Sequence, residues 1–120
     1  MCTIYTARVG HKDSTKTVLD TTVKSGSGLG LIFAPTWEIV MGVKQGRITQ
    51  QQYTDAYLEM LRERYRASQE TFLAILAQDQ VVVTCYCRAG AFCHRHIVVD
   101  VLEKIAAKHE LAFARGGEVG

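Results

Sequence analysis

Residues 81–95 read Val-Val-Val-Thr-Cys-Tyr-Cys-Arg-Ala-Gly-Ala-Phe-Cys-His-Arg and gather most of the chain's reactive side chains. Three of the four cysteines stand here (Cys85, Cys87 and Cys93), with Arg88, His94 and Arg95, and His96 one residue beyond. An apolar run that breaks into a glycine-bearing turn and resumes as an amphipathic helix aims several backbone N–H groups at one point. Anions bind readily at such a helix start, and thiols there lose their protons more easily. Cations in a first helical turn oppose the helix dipole. The cluster of Arg88, His94, Arg95 and His96 is therefore balanced if an anion joins it.

Several chemistries compete for these residues. In the plainest, Cys85 and Cys93 are small buried apolar groups and His94 and Arg95 cap the helix. In a second, Cys87 is a nucleophile: Cys85 and Cys87 share one face of a strand, and Cys87 lies nearer the turn. Arg88, Arg95 and the helix start would then lower its pKa. Cys87-Arg88-Ala89-Gly90 resembles the opening of the rhodanese active loop, but Phe92 and Cys93 stand where that loop has arginine and serine. The tyrosine-phosphatase loop has five residues between cysteine and arginine, whereas seven separate Cys87 from Arg95. A third chemistry is zinc, for which Cys85, Cys87, Cys93, His94 and His96 are adequate donors. All sit on one strand–turn–helix, and two helical residues two apart point about 200° from each other, so no metal is expected. A fourth is a ligand held at the junction without turnover.

The elements that must position these groups are legible in outline. Thr3 to Val9 and Val18 to Val23 read as strands, and Leu29 to Phe33 as a short strand or a buried connector. Thr36 is placed to cap a helix opening at Trp37, with Glu38 favourable at its positive end. Thr49 and Gln52 form a capping box ahead of Tyr53, Tyr57, Met60 and Leu61, which share one helical face. Ser68 is placed to cap another helix carrying Phe72, Leu73, Ile75 and Leu76. Val81–Val83 has the unbroken apolar character of a central strand. A last helix from about His94 to His109 buries Ile97, Val98, Val101, Leu102, Ile105 and Ala106. Leu111 to Ala114 reads as an edge strand, and 116–120 as a flexible tail.

Strands alternating with helices predict a single three-layer α/β domain, residues 1–120, with a small, mainly parallel sheet flanked by helices. Ligands in such folds sit beyond the carboxyl ends of the strands. That rule gathers Arg8 to His11, Lys24 to Gly26 and Cys85 to Arg95, with the Trp37 segment as a wall.

Composition narrows the class. The chain has 120 residues, 48% hydrophobic and 22% charged, enough to bury a core. A net charge of +2 without a polybasic run points away from nucleic acid. Arg62, Arg64 and Arg66, interleaved with Glu59 and Glu63, read as a solvated face. No stretch is apolar enough to span a membrane, and no secretory leader is visible. A reducing cytoplasm is expected, with cysteines as thiols. Cys2 reads as packing, Tyr53 and Tyr57 as helix packing, and His11 and His109 as surface residues.

Phe33-Ala34-Pro35-Thr36-Trp37-Glu38, the Gly46–Tyr57 segment and Cys85-Tyr86-Cys87…Cys93-His94-Arg95 together resemble domain of unknown function 488, in particular its shorter bacterial and phage-type members. The resemblance extends from about Tyr5 to Lys108, with Cys-His-Arg at the start of the last helix as its most specific part. It implies a compact three-layer α/β domain with the Cys-His-Arg loop at the strand ends. Cys93, His94 and Arg95 become signature residues.

The expected function is binding of a phosphate-bearing small molecule, a nucleotide or nucleotide derivative. Arg8, Trp37, Arg88, Gly90, Cys93 and Arg95 are the ligand-binding candidates, and Cys87 and His94 the catalytic ones. No cofactor and no membrane partner are expected, and a homo-oligomer stays open. The alternatives are a cysteine-dependent transferase or hydrolase using Cys87, and a non-catalytic phage interaction or ligand-sequestering protein.

Overall fold

The computed structural model describes residues 2–8, 15–20, 28–85 and 94–119. Four strands form one sheet: β1 (Cys2–Arg8), β2 (Thr17–Asp20), β3 (Gln80–Cys85) and β4 (Phe113–Glu118), in the order β2-β3-β1-β4. Every neighbouring pair is parallel. A 3-10 turn (Gly28–Phe33) leads into α1 (Trp37–Lys44), α2 (Gln50–Ala67) and α3 (Gln69–Leu76), and α4 (His94–Lys108) connects β3 to β4. This is the expected α/β class, a small parallel sheet with helices flanking it.

β3 lies inside the sheet because its side chains suit burial on both faces: Val81, Val82 and Val83 are all 0% exposed. The register sets Ile4 beside Val81 and Thr6 beside Val83, and Thr17 and Leu19 beside the same two valines. Ile4, Leu19, Val81 and Val83 share one core with α2, α3 and α4, through Tyr57, Leu61, Phe72, Ile75, Val98 and Leu102. α4 packs on β3, β1 and β4, α2 and α3 lie against α4, and α1 lies against α2. Cys2 is packed in this core, where burial raises its thiol pKa.

Local signals place the starts of α1 and α2. Thr36 caps α1 by accepting from the Ile39 N–H, and Thr49 and Gln52 complete the capping box of α2 in both directions. Ser68 occupies the cap position of α3 but makes no side-chain cap bond.

Leu29 to Phe33, open between a short strand and a buried connector, lies in the 3-10 turn Gly28–Phe33. Three expectations are corrected. Arg64 does not belong to a solvated face: its Nη1 donates to the carbonyls of Ile32 and Ala34 at 2.7 and 2.8 Å. Gly116, Gly117 and Glu118, read as part of a tail, continue β4, because the strand finds β1 as a parallel partner as far as Thr6↔Glu118. His109, read as a surface residue, is half-buried, with Nε2 2.6 Å from the Tyr65 hydroxyl. Among the described residues no helix is long and apolar enough to cross a membrane.

Candidate functional site at the strand ends

Because all four strands are parallel, their last residues (Arg8, Asp20, Cys85 and Glu118) fall on one edge of the sheet. Arg8 and Cys85 are register partners, as are Asp20 and Thr84. α4 begins at His94 after the connection from β3. An ion pair ties its first turn to this edge. Arg95, 0% exposed, places Nη2 3.3 Å from Glu118 Oε2. The other oxygen, Glu118 Oε1, accepts from Thr6 Oγ1 at 2.6 Å. Next to it, the Val119 N–H donates to the Thr6 carbonyl at 2.7 Å. The start of α4 is thus bound through β4 to β1.

A β-bulge makes this pairing available. The β1–β4 register runs Ile4↔Arg115 and then Tyr5↔Gly117, so Gly116 is the extra residue. Side chains alternate along a strand, and one inserted residue reverses the alternation. Arg115 and Glu118 therefore both face α4, where uninterrupted alternation would have split them. Arg115 uses that position to bond Asp100 at 2.6 Å and Glu103 at 2.9 Å. Gly117 holds the bulge with φ 85°, a conformation that suits glycine. Between β4 and α4 a recess of about 160 Å³ is walled by Thr6, His96, Val99, Arg115 and Glu118.

The 3-10 turn and the start of α1 are fixed from α2. The Tyr57 hydroxyl donates to the Phe33 carbonyl, and Arg64 holds the carbonyls on either side of it. Burial raises the Tyr57 hydroxyl well above the usual tyrosine range, which keeps it protonated as a donor. These bonds set where Trp37 enters α1.

A family model described as the active DUF488-N3 subclade, DUF488-N3a, matches residues 30–106. This is more than half of the chain and contains α1, α2, α3, β3 and the Cys-His-Arg triplet. The chain belongs to the DUF488-N3a family. The resemblance seen in its Phe-Ala-Pro-Thr-Trp and Cys-His-Arg segments is thereby borne out. The matched span excludes β1, β2 and β4, so Thr6 and Glu118, which hold Arg95, come from outside it. No curated protein and no solved structure matches the chain significantly.

In this DUF488-N3a chain, the backbone brings Arg8, Cys85, His94 and Arg95 into the strand-end region, with Trp37 as the first residue of α1. Cys87, Arg88, Gly90 and Cys93 lie outside the described residues, as do His11 and Lys24 to Gly26. Arg95 differs from its expected setting in one respect: an internal carboxylate, Glu118, already supplies an anion to it. Sequence reading missed Glu118, Thr6 and Arg64. A signal existed for Arg64, which continues the buried stripe of Tyr57 and Leu61 at i+7 and i+3. Among the described residues no group of three or more His, Cys, Asp or Glu side chains is placed to hold a metal ion.

Proposed function

We propose that this chain is a cytoplasmic DUF488-N3a protein that binds a phosphate-bearing small molecule, a nucleotide or nucleotide derivative, at the sheet edge where α4 begins. The observation that carries the reading is the coincidence of four parallel strand ends with the start of a helix of 15 residues. Such edges are where open α/β sheets take ligands, and such helix starts favour anions. Within this reading the N–H groups of the first turn and Arg88 hold the phosphate. His94 donates a hydrogen bond or shuttles a proton, and Arg8, Trp37, Gly90 and Cys93 line the ligand. Arg95 takes a different part: paired with Glu118, it positions the helix start.

The test is thermal denaturation with pyrophosphate and a nucleotide panel. A ligand at about 100 times its Kd adds about 2.7 kcal/mol of stability. For a domain of this length that raises Tm by about 10 °C. Arg88→Ala and His94→Ala should keep the unliganded Tm and lose most of the ligand shift. No shift with any member of the panel would refute the reading.

A second reading is a cysteine-dependent enzyme using Cys87; the family's description as active favours an enzyme, and the choice of Cys87 rests on its place at the strand-to-helix turn in the sequence. A nucleophilic Cys87 should react with iodoacetamide at about pH 6.5 faster than an ordinary exposed thiol. Labelling no faster than that reference would exclude the role.

A further inference from the structure

A second recess lies away from the strand ends, between α2 and α4. It has a volume of about 190 Å³ and a floor of Leu58, Leu61, Val101 and Ile105, with Arg62 and Lys104 on opposite rims. Tyr65 closes one end, fixed by its bond to His109 and by Lys108, whose Nζ lies 5.4 Å from the ring centroid. A cavity of roughly 150 Å³ lined by aliphatic side chains is enough to hold one benzene ring. The floor here accepts a body of that size, one ring or a short alkyl chain.

The charges around this floor are one-sided. Lys104 and Lys108 stand four apart on α4, where like charges repel. Asp100, four residues before Lys104 and therefore its natural helical partner, is bonded instead to Arg115 on the β4 side, as is Glu103. Lys104 and Lys108 make no ion pair among the described residues. Among the described residues Arg62 pairs with Glu59 alone, at 3.5 Å with both side chains more than half exposed, an arrangement that contributes little. An apolar trough edged by cations complements a molecule with an apolar body and an anionic head.

We propose that the α2–α4 groove is a binding site for a small amphipathic carboxylate, its hydrocarbon body on Leu58, Leu61, Val101 and Ile105 and its head between Arg62 and Lys104. The site is separate from the strand-end edge and does not depend on what binds there.

The experiment is a methyl-resolved NMR titration of the full chain with octanoate, and with octan-1-ol as the uncharged analogue. Octanoate should move the methyl signals of Leu58, Leu61, Val101 and Ile105 and bind about tenfold more tightly than octan-1-ol, the gain expected of a charge-assisted contact. Lys104→Glu and Arg62→Glu alter exposed side chains and should each weaken octanoate about tenfold. Lys44→Glu, a remote control on α1, should leave it unchanged. Val101→Phe fills the trough and should block both probes. Equal affinity for octanoate and octan-1-ol, indifference to both charge reversals, or shifts confined to other methyls would overturn the proposal. Pyrophosphate should leave these methyl signals in place; displacement of octanoate by pyrophosphate would overturn the assignment to a separate groove.

Discussion

Removing the Glu118 carboxylate should loosen the start of α4 from the sheet. In the folded chain this group receives Arg95 Nη2 on one oxygen and Thr6 Oγ1 on the other, at 3.3 and 2.6 Å. Arg95 is fully buried, whereas the Glu118 side chain is 29% exposed. Deleting one member of a buried pair costs about 3–5 kcal/mol, because the charge left inside loses the stabilisation of that counterion. Partial exposure of Glu118 places Glu118→Ala at the lower end, about 3 kcal/mol. Unfolding entropy scales with chain length, so about 3 kcal/mol becomes a fall in Tm of about 12 °C for a domain of this size. Glu118→Gln keeps the shape and an acceptor for Thr6, so it isolates the charge. Thr6→Val removes one hydrogen bond and should cost about 1 kcal/mol. The double variant Arg95→Met, Glu118→Leu removes both charges and should recover much of the loss seen in Glu118→Ala, since paired apolar replacements of buried ion pairs are often near neutral. Urea denaturation of the four variants measures each of these differences. If Glu118→Ala and Glu118→Gln both lie within about 0.5 kcal/mol of the parent, the ordinary range for surface substitutions, the pair does not hold α4 in place.

Three further outcomes follow from single features. Glu110 ends α4 with φ 57°, between the Glu110 N–H bond to Ala107 and the Leu111 N–H bond to Ala106. This is the left-handed helix stop that favours glycine, so Glu110→Gly should raise stability by about 1 kcal/mol, measured by urea denaturation. A Cβ at Gly116 would stand 2.2 Å from the Tyr5 ring. Gly116→Ala should therefore cost about 1–3 kcal/mol, and Tyr5→Ala in the same chain should relieve most of the clash. Arg115 holds the Glu103 carboxyl below its usual pKa through their hydrogen bond. A lowered folded pKa adds stability above the ordinary glutamate value, about pH 4.3, which is lost as pH falls through the lowered one. The Tm advantage of the parent over Arg115→Met should thus shrink on acidification through that window, and an advantage that does not change would contradict the assignment.

The parts of the fold that were legible are those set by neighbours in the chain. Thr49 and Gln52 predict the start of α2 because a capping box involves residues three apart. Val81–Val83 predicts an inner strand because burial on both faces leaves no polar position in the run. Leu29 to Phe33 was not decidable, since five apolar residues suit several conformations. The 3-10 turn found there is held by Tyr57 and Arg64, far along the chain. Arg64 shows how a charge pattern can mislead. Its neighbours Arg62 and Arg66 are exposed as expected, but Arg64 lies on the Tyr57–Leu61 side of the helix and turns its guanidinium inward.

The candidate site divides along the same line. Its strand-to-helix junction is written in adjacent residues, and Cys-His-Arg at the head of α4 was visible without coordinates. Its support is not local. Glu118 serves Arg95 only because β4 pairs with β1 rather than fraying, and only because Gly116 shifts the alternation by one. A Gly-Gly pair near a terminus reads as slack; in the sheet it is the step that turns a carboxylate toward a buried guanidinium. That step also changes what Arg95 can be. A cation at the start of a helix invites an external anion when nothing else is known of its surroundings. With Glu118 3.3 Å away, Arg95 has a carboxylate from within the fold, and the pair ties the first turn of α4 to the end of β4.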